Sequence, residues 1–230
     1  MPRPAFHEKL EAMEMELLEL GELAGTAVQK SVEAVMQQDD ALAERVIAED
    51  DEIDRLYIDL DQQMLSLLAL QAPVAADLRL ISVVIHSSLH LERIGDQAVN
   101  VAKMQQVTRH LPANETILQQ IGEMGHIVVE MVRVAMDALR RRDLELSLRL
   151  PKMDDPVDRL NRNMHFEVAK LADEPRALEW GMHMNLAARA LERVGDNAVD
   201  IGEQVAFLVS GEFREFTDAS HPGGVASDAT

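Results

Sequence analysis

Two motifs occur twice in this chain and in the same order, and this internal repeat constrains the fold more than any other feature. Asp50-Asp51-Glu52-Ile53-Asp54-Arg55-Leu56 matches Asp154-Asp155-Pro156-Val157-Asp158-Arg159-Leu160, an offset of 104 residues (154 minus 50). Leu91-Glu92-Arg93-Ile94-Gly95-Asp96-Gln97-Ala98-Val99-Asn100 matches Leu191-Glu192-Arg193-Val194-Gly195-Asp196-Asn197-Ala198-Val199-Asp200, an offset of 100 (191 minus 91). Core patterning alone repeats Leu and Val; it does not reproduce Leu-Glu-Arg-x-Gly-Asp, so the chain is read as a duplicated unit. The offsets differ by about one helical turn, which shortens a hairpin of helices without rotating either buried face.

Each unit reads as three helices. Apolar residues recur at helical spacing, as in Phe6, Leu10, Met13, Leu17 and Leu20, and again in Ile53, Leu56, Leu60, Met64 and Leu67. Asp39-Asp40 caps a second helix, Gln71-Ala72-Pro73 ends it, and Leu111-Pro112-Ala113-Asn114 separates a third from a fourth. Asp155-Pro156 and Asp173-Glu174-Pro175 are expected to open a fifth and a sixth, with Pro in the first turn. On that reading Asp154 lies just ahead of its helix. The expected fold is all-α: six antiparallel helices in two tandem, duplicated three-helix bundles, 1–108 and 109–216, with a disordered tail at 217–230.

Composition agrees. Hydrophobic residues make up 47% of the 230 residues, enough for a core, while 13 Met against 3% aromatic residues favour helix over sheet. Met13 and Met64 are assigned to bundle cores in preference to a dimer contact. With no Cys, disulfides and thiolate chemistry are excluded, which leaves carboxylate, His and water as metal ligands. The N-terminus lacks an apolar signal region and no apolar run approaches the ~20 residues of a membrane span. A cytoplasmic protein is expected, with peripheral membrane contact only. The 41 Asp and Glu outnumber the 22 Lys and Arg, for a net charge of -19. That charge repels nucleic acid and attracts cations or basic surfaces.

Glu92, Asp96 and Asn100 are four residues apart and project from one helix face, as do Glu192, Asp196 and Asp200. Asp50 with Asp54, and Asp154 with Asp158, add an acidic pair on the preceding helix of each unit. In so acidic a chain one such pair arises by chance; its repetition carries the weight. Two readings are open for these faces. They bind hard or borderline metal ions, or they are solvated surfaces paired with Arg55, Arg93, Arg159 and Arg193 in weak ion pairs. Gly95 and Gly195, mid-helix beside each ladder, imply close approach of another helix.

Other chemistries find little support. A ferritin-like di-iron site needs two Glu-x-x-His pairs, and only Glu123-Met124-Gly125-His126 fits. His86 and His90 share a face on an apolar helix and are assigned to core or boundary positions. Neither a phosphate-gripping Gly-rich loop nor a Ser-His-Asp order is present, so no enzyme is expected. The competing reading is a helical metal-storage or metal-dependent hydrolase module, in which clustered carboxylates hold ions that activate water.

The two ladders, the Asp50/Asp54 pair and Pro73-Val74-Ala75-Ala76-Asp77-Leu78-Arg79 together resemble the PhoU family of duplicated three-helix proteins. The likeness spans nearly the whole chain, although Pro156 departs from the family's continuous acidic helix. The resemblance implies multinuclear metal clusters of iron, zinc, nickel, manganese or magnesium on the surface. Their ligands would come from Asp50, Asp54, Glu92, Asp96 and Asn100 in one unit and Asp154, Asp158, Glu192, Asp196 and Asp200 in the other. It further implies a negative regulator that meets the high-affinity phosphate ABC transporter and a phosphate-sensing histidine kinase at the inner face of the membrane. A homodimer is expected independently of the resemblance.

Overall fold

The computed structural model describes residues 3–70 and 73–216. Gln71, Ala72 and the tail 217–230, expected to be a helix end and a disordered segment, lie outside the described residues. Seven helices and no strand occur among the described residues: α1 (Arg3–Gln37), α2 (Asp40–Leu70), α3 (Ala75–Thr108), α4 (Glu115–Arg141), α5 (Leu144–Ser147), α6 (Leu150–Ala169) and α7 (Pro175–Ser210). Six are the long helices expected, and α5 is a single four-residue turn.

The boundaries follow local chemistry. Asp39 Oδ1 accepts the Leu42 amide at 2.9 Å, and Asn114 Oδ1 accepts that of Ile117 at 3.1 Å. Each satisfies an orphan donor of a first turn. α7 begins at Pro175, where a missing N–H costs nothing. It ends at Gly211, whose φ of 76° a glycine adopts without the penalty of a Cβ.

The fifth helix departs from expectation. It opens at Leu150 with Pro151 in its first turn, while Pro156 lies inside it; Asp155-Pro156 does not start it. At the offset of 104, α5 and α6 together correspond to the single helix α2. An unbroken helix through Pro151 would lose a backbone hydrogen bond and set the ring against the carbonyl of Ser147. The chain therefore breaks at Leu148-Arg149 and restarts. Pro156 is accommodated further along, so Asp154 is carried on the helix and not ahead of it.

One contiguous core runs through both units. On α1, Phe6, Leu10, Met13, Leu17, Leu20, Ala24 and Val28 are all buried at steps of three and four, the stripe a helix presents to a bundle core. Met13 and Met64, 3% and 0% exposed, are core residues as assigned. Within each unit α2 packs on α3 and α6 on α7; between units α3 packs along α7 and α1 along α4. Each acid-bearing helix, α2 or α6, is thus laid beside the helix that carries a Leu-Glu-Arg-x-Gly-Asp motif.

Candidate functional site

Glycine sets the approach of the acidic helices. A Cβ added at Gly95 would stand 3.1 Å from Ile53 Cδ1 and 3.3 Å from Asp50 Oδ1, and one at Gly195 would run into Asp154 Oδ1. In both units the bare backbone of the motif glycine lies beside the leading acid of the repeated Asp-Asp motif, joined at Gly95 by the methyls of Ile53. The close approach read from sequence is therefore specific: it is a seat for a carboxylate.

In the first unit the structure brings together Asp50, Asp54, Glu92 and Asp96. Burial pushes the Asp50 carboxyl up to about 6 from its ordinary 3.8, reinforced by the charges of Asp54, Asp96 and Asp51 and opposed by Lys103. Burial likewise raises Glu92, with Asp96, Asp54 and Asp50 adding to it and Arg93 opposing. Both helices contribute to this mutual repulsion. Asn100 stands apart, exposed, with its amide donating to Gln97 Oε1 at 3.4 Å.

In the second unit a cleft of about 370 Å³ is lined by Asp154, Asp155, Asp158, Asp196, Asp200, Glu203 and Glu215, with Pro151, Val199 and Phe216. Asp154, Asp158, Asp196 and Asp200 were expected there. Glu192, one turn before Asp196, sits outside the lining, and Arg189 Nη1 stands 3.5 Å from its Oε1. Arg162 pairs with Asp158 at 3.2 Å. Asp155, Glu203 and Glu215 escaped the sequence reading. Glu203 stands seven residues after Asp196, two turns along the same face, and that spacing was the available signal. Glu215 carries no periodic signal because it follows the helix.

His90 of α3 reaches across to the second unit, its Nδ1 2.9 Å from Asn197 Oδ1 and 3.4 Å from Asp200 Oδ2. The Asn197 amide nitrogen donates to the Arg193 carbonyl at 2.7 Å, which turns Oδ1 toward the imidazole. His90 Nδ1 therefore carries the proton. Burial raises Asp200, while His90 and Arg93 oppose the shift; burial also raises Glu203, against the hydrogen bond it accepts from the Phe216 amide.

As a donor set these faces are hard oxygen, suited to Mg²⁺, Mn²⁺ and iron more than to soft ions. Among the described residues no three carboxylate or imidazole groups converge into a preformed metal site.

A family model described as PhoU domain matches residues 17–104 and again 121–205, one match per unit. The chain belongs to the PhoU family. Among its PhoU relatives, a phosphate-specific transport system accessory protein PhoU homolog from Pseudomonas aeruginosa is 34% identical over 95% of this chain and 88% of its own length. PhoU homolog 2 from Mycobacterium tuberculosis is also 34% identical, over 92% of this chain and 99% of its own. The crystal structure of PhoU from Pseudomonas aeruginosa superimposes with a TM-score of 0.86 at 34% identity, covering 90% of this chain and 100% of that one. The phosphate transport system regulatory protein PhoU from Streptococcus pneumoniae shares the fold, with a TM-score of 0.82 at 24% identity. These PhoU structures share the helical bundle architecture, and among the described residues no helix is long and apolar enough to cross a membrane.

Proposed function

We propose that this protein is a non-enzymatic negative regulator of phosphate uptake and of phosphate-starvation signalling. It acts by contact with the phosphate ABC transporter and its sensor histidine kinase at the inner membrane surface. Relatives matched over most of their length are named as accessory proteins of phosphate-specific transport, which supports the pathway. The observation that carries the mechanism is the pair of acidic faces, repeated once per unit on the outside of the bundle. Carboxylates of α2 with α3, and of α6 with α7, would share divalent cations there. Such ions supply charge neutralisation and cross-link each helix pair, which converts a repulsive face into one that basic partner surfaces can share.

The test is capture of partners from detergent-solubilised membranes on the immobilised chain. Retention of the transporter and kinase, with loss of both on chelation or in high salt, is the expected result. Retention indifferent to both treatments would contradict a charge- or cation-mediated contact. Capture of neither would contradict the partner assignment.

A further inference from the structure

The face shared by α2 and α3 changes character along its length. Beyond the acids at one end, Ile58 and Leu65 follow Asp54 along α2, while Leu89, Ile85 and Leu78 precede Glu92 along α3, at spacings that keep helical residues on one face. α2 ends at Leu70 and α3 begins at Ala75, and the two pack along each other, so both series lead to the same end of the hairpin. Ile58, Leu65 and Leu78 are 50%, 57% and 49% exposed, and Leu70 and Val74 at the hairpin end are exposed as well. From Leu78 to Leu91 α3 carries no Asp or Glu. On α2, Asp61 lies on this stretch of the face, while Asp59 turns away to pair with Arg55 at 3.4 Å. In a chain of net charge -19, exposed apolar side chains grouped in this way mark an interaction surface.

The second unit has the same helix pair and a different face. At offsets of 104 and 100, Ile58 is replaced by Arg162, Leu65 by Ala169, Ile85 by Asn185 and Leu89 by Arg189. The core positions stay apolar: Leu60 and Met64 correspond to Met164 and Val168, and all four are buried. The fold therefore does not require apolar side chains at Ile58 and Leu65. Arg162 pairs with Asp158 at 3.2 Å, and Arg189 approaches Glu192 at 3.5 Å. At the two positions from which these arginines reach their acids, the first unit offers Ile58 and Leu89.

We propose that the α2/α3 face of the first unit docks a basic amphipathic helix of a protein partner. Its apolar residues would cover Ile58, Leu65 and Leu78, and Lys or Arg at one of its ends would meet Asp54 and Glu92, as the second unit's own arginines meet Asp158 and Glu192. The proposal rests on the partner-contact reading given above and deepens it by assigning the contact to one unit. From Asp54 to Leu65 the face runs about 16 Å at 1.5 Å per residue, so about three turns of a partner helix reach both ends. A second copy fits this face poorly, because it brings another charge of -19 and the same acids; the acidic end likewise repels an anionic lipid surface.

The chain contains no Cys, so Leu65→Cys and Ala169→Cys each carry one benzophenone photocrosslinker at matched positions on the two faces. Each labelled protein is mixed with detergent-solubilised membranes holding the phosphate transporter and the sensor kinase, irradiated, and its cross-linked peptides are sequenced by mass spectrometry. The expected result is a link from position 65 to a segment of one of those two proteins with apolar residues at helical spacing and Lys or Arg at one end, and no such link from position 169. I58R, which installs the residue of the second unit, should weaken capture of that protein by about tenfold or more. M15R, the same change at an exposed residue of α1, should leave capture unchanged, and both variants should keep the native urea midpoint. Capture undiminished by I58R in a folded protein, equal loss in M15R, equal links from both positions, or links from position 65 to lipid or to a second copy would overturn the proposal and leave the partner-contact reading standing. Capture of neither protein would overturn both.

Discussion

The Asp154 carboxylate lies directly over Gly195, where a Cβ would run into its Oδ1, so the first acid of α6 is seated on the glycine of the α7 motif. Replacing Gly195 by Ala gains about 1 kcal/mol of helix propensity and displaces only the far end of a short polar side chain. Net stability should shift by less than about 1 kcal/mol, while Mn²⁺ affinity at the second face falls about tenfold. Urea unfolding and calorimetric titration of Gly195→Ala check the two halves separately.

Asp50 gives the first unit a pH signature. Its pKa is raised from 3.8 to about 6, so between those values the folded state binds more protons than the unfolded one. Its contribution to stability is fully present below pH 3.8 and is lost as pH rises through about 6. Because the side chain is only partly buried, solvent screening holds the effect to order 1 kcal/mol. Asp50→Asn should stabilise the protein by about that amount at pH 8 and leave it unchanged at pH 4. Unfolding of both proteins at the two pH values measures it.

Where α1 crosses α4, a Cβ at Gly125 would stand 2.5 Å and 2.6 Å from the two γ-methyls of Val32 and 3.0 Å from its Cβ. A β-branched side chain has little freedom to turn away. Gly125→Ala should therefore cost about 1–3 kcal/mol despite better helix propensity, read as a lowered midpoint in urea. The larger cost here than at Gly195 separates a packing glycine from a seating one.

The duplication, the six long helices and the acidic composition of both faces were legible in the sequence because each leaves a periodic trace. Glu92, Asp96, Asp50 and Asp54 were found together for that reason, since spacing of four fixes a shared face. The start of α6 was misplaced because two prolines, Pro151 and Pro156, both offer a first-turn signal. Spacing does not say which one the chain breaks before. Glu215 was invisible because its position depends on the turn at Gly211 and the hydrogen bond from Phe216 to Glu203. Asn100 and Glu192 satisfy the spacing, and the structure gives Asn100 a bond to Gln97 and Glu192 an ion pair with Arg189.

His90 couples the two units through Asn197 Oδ1 at 2.9 Å. Its counterpart at the offset of 100 is Ala190, so no symmetric contact compensates for it. His90→Ala should cost about 1 kcal/mol, and a double-mutant cycle with Asn197→Ala should return a coupling of similar size. Additive losses would show that the contact contributes nothing.

The regulatory claim is tested most directly by complementation. The chain is expressed in a bacterium lacking its own phosphate regulator, and alkaline phosphatase is assayed in phosphate-rich medium. The account predicts restored repression, and loss of that repression when Glu92, Asp96, Asp154 and Asp196 are replaced by Ala in a protein that still folds. Derepression persisting with the native chain soluble and expressed, or repression indifferent to the four substitutions, would contradict it.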